Sequence, residues 1–288
     1  MAFERRRKKK SPRFRQDVMR KGVYILPNAV TTGSLFFGFA SIVRTINGNF
    51  HDAAIAILIA SVFDFLDGYV ARLTKSNSDF GVQYDSLSDL VSFGLAPGLL
   101  AYCWALYPFG RVGWLAGFLY FACAALRLAR FNVQSQGVEK SIFQGLPTPA
   151  AGCLLAAWVL FHLNMVQQYD FLEEEFKHFS VVLTVYGLAI LMVSGFRYRN
   201  FKHLSLRERH PFQLLVLLVL LLIVVASKPD LFLFPLIGLY VLHGPIEGFW
   251  RAARKRLRAQ GHPVNPPKFV GFSSPDTSVR QSPTAQED

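Results

Sequence analysis

Charge is scarce in this sequence. Only 17% of its residues are Asp, Glu, Lys or Arg and 52% are hydrophobic, whereas ordinary soluble domains carry about 25% charged residues. That balance excludes a conventional water-soluble fold. Cysteine is scarcer still: the three are Cys103, Cys123 and Cys153, each inside an apolar run and none in a CxxC pair. A disulfide framework and a thiolate metal site are both excluded, and the thiols read as small buried apolar groups. No long internal repeat is visible, which counts against a repeat-built transporter. Nor is a cleaved leader expected. Residues 1–21 form a solvated basic run, and the apolar segment that follows is too long and lacks a small-residue cleavage site.

Acidic residues are outnumbered 19 to 31 by Lys and Arg, and the excess is concentrated. Ten basic residues fall between Arg5 and Lys21, five between Arg197 and Arg209, and five between Arg251 and Arg258. Aromatic residues are not interleaved with them as a stacking platform, so no nucleic-acid partner is expected. The runs read instead as cytoplasmic flanks of membrane spans, in contact with anionic membrane lipids.

What the chain has in quantity is apolar length. Runs at 27–43, 52–73, 82–106, 112–132, 147–166, 179–193, 212–226 and 231–243 read as eight spans. The last two are joined by the turn-like Ser227-Lys228-Pro229-Asp230. If the N-terminus lies inside and each run crosses once, the basic tails and the 197–209 loop fall on one side and the acidic run 170–175 on the other. The expectation is an all-α, polytopic integral membrane bundle of about eight transmembrane helices with both termini cytoplasmic. Residues 1–22 would be a basic tail, 23–250 the transmembrane catalytic domain, and 251–288 a basic and then disordered tail. Trp104, Trp114 and Trp250 read as interfacial belt residues, and His162 and His243 as packing residues.

Against this background four carboxylates stand out: Asp64, Asp67, Asp85 and Asp89, in two otherwise apolar spans. An ionised carboxylate at membrane depth costs about 3 kcal/mol even on lenient insertion scales. Four close together also repel one another, so something positive must sit between them. Asp64 and Asp67 are three apart, and Asp85 and Asp89 four apart, so each pair shares one helical face. The link at 73–80 is short and polar, which predicts an antiparallel hairpin with Asp67 level with Asp85 and Asp64 level with Asp89. Only oxygen ligands are offered there. The natural counter-charge is a hard divalent cation, Mg²⁺ or Mn²⁺, with Ca²⁺ as a substitute. Gly68 and Gly81 leave bare backbone where a phosphorylated ligand can approach, and Arg72 can take a phosphate bidentately. A non-catalytic cation transporter is the competing class, but it predicts acidic residues spread over several broken spans. Here they share one hairpin near one membrane face.

The spacing D-x2-D-G-x2-A-R-x8-G-x3-D-x3-D over residues 64–89 resembles the signature of the CDP-alcohol phosphatidyltransferase family, and every signature position is matched. The resemblance implies a six-helix membrane core, a homodimer, and a divalent metal that holds a CDP-linked donor. It implies that Asp64, Asp67 and Asp85 are metal ligands and that Asp89 completes the metal site. Asp89 is also the implied catalytic base, and Gly68, Ala71, Arg72 and Gly81 would line the donor.

Two further stretches, Arg127-Leu128-Ala129-Arg130-Phe131-Asn132 and Phe143-Gln144-Gly145-Leu146-Pro147-Thr148-Pro149-Ala150, are similar to the phosphatidylserine synthase branch of that family, as is the opening Leu26-Pro27-Asn28-Ala29-Val30-Thr31. That likeness implies CDP-diacylglycerol and L-serine as substrates, at the cytoplasmic side of a bacterial inner membrane. Arg127 and Arg130 share a helical face and offer an anion site for the serine carboxylate, with Asn132 beside them; snorkelling to headgroups is the competing reading. The sequence does not choose between the two arginines. Asn28 and Thr31 are expected to touch the donor's cytidine or phosphates, with a helix cap as the other reading of Asn28. Glycerol 3-phosphate, inositol and choline stand as alternative acceptors.

Overall fold

The computed structural model describes residues 12–74, 78–135, 145–168, 174–196, 220 and 227–259. Every regular element among them is helical. Helices α1 (Pro12–Ile46) and α2 (Phe50–Thr74) form a hairpin. Its turn is closed by Gly48 at φ 77° and by a bond of 2.9 Å from the Asn49 N–H to the Arg44 carbonyl. Glycine is needed there because a left-handed residue past the last helical turn is what lets the frayed carbonyls find donors.

The third crossing, Asp79–Phe109, is a composite. It comprises α3 (Asp79–Asp89), a π-helical turn at Leu90–Leu95, α4 (Ala96–Ala101), a second π turn at Tyr102–Leu106 and a 3₁₀ turn at Tyr107–Phe109. Pro97 explains part of this. It has no N–H to give the carbonyl four residues back, and in an apolar bundle that oxygen needs another donor. The fully buried Tyr120 supplies one, its hydroxyl donating to the Phe93 carbonyl at 3.0 Å. Tyr120 belongs to α5 (Arg111–Ser135), which is followed by α6 (Thr148–Gln168), α7 (Glu174–Val193) and α8 (Pro229–Ala259).

Small residues set how closely these helices approach. Ala53, Ala54, Ala56 and Ala60 on α2 are fully buried, as expected where backbones meet in a membrane bundle. On α1, a Cβ at Gly38 would lie 2.7 Å from the Ser92 Cα. Hydroxyls then pin the contact: Ser88 donates to the Thr31 carbonyl (3.2 Å), Ser92 to the Ser34 carbonyl (3.1 Å), and Ser34 to the Ala60 carbonyl (3.1 Å). The first three crossings are thereby fixed to one another directly beneath the carboxylates.

Among the described residues, six helices are long and apolar enough to cross a membrane: Leu26–Ile46, Phe50–Thr74, Asp79–Phe109, Arg111–Gln134, Thr148–Val166 and Pro229–Arg251. The expected sixth span is a shorter apolar helix, His178–Val193. The expected seventh, 212–226, lies outside the described residues apart from Leu220, as do residues 1–11 and 260–288 of the expected tails. Residues 1–248 form one compact unit and 249–288 another; in the second, the Arg254 guanidinium lies 5.9 Å from the Trp250 ring.

Two expectations are corrected. Asn28 is not a cap, because α1 runs unbroken through Pro27. Trp104 is not a belt residue; it is buried and packs edge-on against His162 at 5.2 Å. Trp114 and Trp250 are exposed, and His243 is exposed and paired with Glu247 at 3.7 Å.

Candidate active site

The carboxylates converge because two helices bring their acidic faces to one end of the bundle. Asp64 and Asp67 lie in the second half of α2, and Asp85 and Asp89 on α3. Ser78 caps the start of α3, accepting from the Gly81 N–H at 3.0 Å. One carboxylate oxygen each from Asp64, Asp67 and Asp85 lies within 4.8 Å of the others. Asp89 comes within hydrogen-bonding reach of Asp64. It is the last residue of α3, where the π turn begins, a geometry that recurs at functional sites because it re-aims the side chains around it.

The donor set fits a hard divalent cation. Asp67 is 6% exposed, and its Oδ2 and the Asp85 Oδ1 are buried without a hydrogen-bond partner. Buried carboxylate oxygens left this way are costly, and a cation bound by oxygen ligands relieves that cost.

Around this centre the other residues sort by depth. Thr31 is buried on α1, within reach of Asp67 and with its own hydroxyl donating to the Pro27 carbonyl at 3.1 Å. Asn28 faces the start of α3, its Oδ1 3.4 Å from where a Cβ on Gly81 would stand. Gly68 is exposed, and a Cβ there would meet no atom within 4 Å. Ala71 is half-buried and Arg72 exposed in the last turn of α2.

The two arginines part company. Arg127 is half-buried and lies within electrostatic range of Asp89 and Tyr240. It donates to the hydroxyl of Thr148 at the start of α6, and its Nε is buried without a hydrogen-bond partner. Arg130 is exposed one turn further along α5. Asn132 is tied to α3, its amide donating to Ser86 Oγ (3.0 Å) and Gln83 Oε1 (3.4 Å). The sequence reading passed over four neighbours. Thr148 sits in a stretch singled out for other reasons. Cys153, near Asp64 and within reach of Ser61, and Ser61 itself look like ordinary apolar-span residues. Tyr240 lies far along the chain and carries no local signal.

A family model described as CDP-alcohol phosphatidyltransferase matches residues 24–193. The chain belongs to that family. Its matched domain contains all four aspartates, and its long apolar helices make it an integral, multi-pass membrane protein. The chain is 37% identical over 224 residues to a CDP-diacylglycerol–serine O-phosphatidyltransferase of Helicobacter pylori, covering 78% of this chain and 91% of that one. It is 33% identical over 177 residues to the enzyme of the same name from Bacillus subtilis, covering 62% and 91%. An archaetidylserine synthase of Methanothermobacter thermautotrophicus is 34% identical over 175 residues, covering 60% and 69%.

Proposed function

We propose that this chain is a CDP-diacylglycerol–serine O-phosphatidyltransferase, which moves the phosphatidyl group of CDP-diacylglycerol to the hydroxyl of L-serine and releases CMP. The observation that carries this reading is the Asp64–Asp67–Asp85 oxygen cluster with Asp89 at its edge and a half-buried arginine, Arg127, within electrostatic range of Asp89. A divalent cation, Mg²⁺ or Mn²⁺ with Ca²⁺ as a substitute, would be held by Asp64, Asp67 and Asp85 with Asp89 completing the set. When bound it neutralises charge on the pyrophosphate and on the departing CMP.

The chain's own residues do the rest. Gly68 leaves room for the donor, Arg72 reaches its phosphates, and Ala71, Gly81, Asn28 and Thr31 line it. Arg127 takes the serine carboxylate and so aims the serine hydroxyl towards Asp89; Arg130 is left at the headgroup boundary, and Asn132 steadies α3 through Ser86. The Asp89 carboxylate accepts the hydroxyl proton as the serine oxygen bonds to the lipid-bearing phosphorus and the bond to the CMP oxygen breaks. A base placed this way contributes about 10²–10⁴-fold. We place the site at the cytoplasmic face of a bacterial inner membrane, in a homodimer. Residues 1–22 and 251–288 act as cytoplasmic tails around the catalytic domain at 23–250.

Purified protein given CDP-diacylglycerol and Mn²⁺ or Mg²⁺ is expected to release CMP on addition of L-serine. CMP release with glycerol 3-phosphate or inositol and none with serine would overturn the acceptor while leaving the phosphatidyl-transfer chemistry intact.

A further inference from the structure

Two packing contacts bring α5, α6 and the third crossing to one level beside the aspartates. Just past Asp89, the π turn at Leu90–Leu95 is gripped from both neighbours. A Cβ on Gly152 of α6 would lie 3.1 Å from the Phe93 Cα, and a Cβ on Gly94 would lie 3.2 Å from the Ala124 Cβ of α5. Contacts this close fix the relative heights of the three helices. Thr148 precedes Gly152 by four residues, about one turn towards the aspartate end, and Asp89 precedes Phe93 by the same interval. Arg127 follows Ala124 by three on a helix that runs the opposite way, so it too lies one turn towards that end. Arg127, Thr148 and Asp89 thus share a level, and the Arg127 Nη1 donates to the Thr148 hydroxyl.

Thr148 is itself held in place. It is fully buried, with Pro147 and Pro149 stiffening the chain on either side. The two residues before Pro147 are bonded to the end of α7. The Gly145 N–H donates to the Phe196 carbonyl at 2.8 Å and the Leu146 N–H to the Leu191 carbonyl at 3.1 Å. Gly145 has φ 87°, and a Cβ there would lie 2.3 Å from the Met192 carbonyl oxygen, so only glycine fits this docking. The start of α6 is therefore anchored on α7, independently of the arginine it receives from α5.

We propose that Thr148 is a positioning residue for the acceptor, its hydroxyl setting the Arg127 guanidinium so that the opposite edge meets the acceptor's carboxylate. This rests on the reading of Arg127 as the carboxylate site. An arginine side chain has many rotamers, and a bond to one nitrogen removes much of that freedom before a ligand arrives. Thr148 engages Nη1, which leaves the Nε–Nη2 edge for a bidentate carboxylate, and that Nε is buried without a hydrogen-bond partner. A hydroxyl suits the task better than a second carboxylate would. It accepts the N–H without neutralising the charge that must attract the ligand.

The test is steady-state kinetics on the full-length Thr148→Val and Thr148→Ser variants, with the midpoint of thermal unfolding in detergent measured for each. Valine keeps the shape and removes the acceptor, so the serine KM is expected to rise about tenfold, as for a lost hydrogen bond to a charged group. The CDP-diacylglycerol KM and kcat should stay within about twofold. Serine at this position keeps the hydroxyl and should return the KM to within about threefold of the native value. Thr148→Ala is read in the same way should Thr148→Val not be recovered folded. If removing the hydroxyl leaves the serine KM unchanged while Arg127→Ala raises it, the role of Thr148 is refuted and the Arg127 pocket stands. If neither change moves it, the carboxylate pocket falls as well. If both KM values rise together, or Thr148→Ser fails to restore the serine KM, Thr148 acts only through packing and the proposal fails.

Discussion

At the scale of single residues, the four aspartates differ in what surrounds them, and that separates their roles. Asp67 and Asp85 each keep a buried oxygen without a hydrogen-bond partner, as ligands awaiting a cation would. Asp89 is set apart at the edge of the cluster and lies within electrostatic range of Arg127. We therefore expect Asp89→Asn and Asp67→Asn to fail differently. The amide at 89 keeps the shape but cannot take a proton, so turnover should fall by about 10²–10⁴-fold while Mn²⁺ and CDP-diacylglycerol still bind. The amide at 67 removes a ligand charge, so Mn²⁺ affinity, read by calorimetric titration of the protein without substrate, should drop before any kinetics are measured. Equal loss of Mn²⁺ binding in both variants would make Asp89 chiefly a ligand. Much of this was legible in the sequence, since helical spacing alone puts each pair on one face. The choice between Arg127 and Arg130 was not. Both lie on the same face of α5, and only contacts with α6 and α8, remote in sequence, distinguish them.

At the scale of elements, the third crossing owes part of its form to Pro97. Its position was legible, but its consequence depends on whether a donor from another helix reaches the Phe93 carbonyl, which no local pattern reveals. Tyr120 reaches it. Tyr120→Phe removes that donor and keeps the ring, so it should destabilise the protein by about 1–3 kcal/mol, the cost of a buried oxygen left unsatisfied. The measurement is a lower midpoint of thermal unfolding in detergent, with the ratio of the two substrate KM values unchanged. An unaltered midpoint would mean that the neighbouring π turn satisfies Phe93 without help. The same dependence on partners explains Trp104. An aromatic near a span end reads as an interfacial anchor, but the packing of His162 against it from α6 draws it inside.

At the scale of the whole molecule, the proposed sidedness combines the charge pattern with the helix order. The turn at Gly48 and the end of α5 lie at opposite ends of the bundle. α1 and α2 join at Gly48, whereas the last turns of α5 meet α3 and the start of α6 beside the aspartates. The proposed cytoplasmic placing of the aspartate end rests on the positive-inside tendency of the basic runs in the sequence. A single cysteine at Asn49 or at Val133, both exposed, should therefore behave oppositely towards a membrane-impermeant maleimide when the three native cysteines are replaced. In intact cells or right-side-out vesicles Asn49→Cys is labelled and Val133→Cys is protected, and in inverted vesicles the pattern reverses. Labelling of Val133→Cys from outside would turn the molecule over. Because the aspartates and Arg127 share the Val133 end, such a result would also remove their access to a cytoplasmic acceptor. The sidedness and the acceptor chemistry thus stand or fall on the same bundle end.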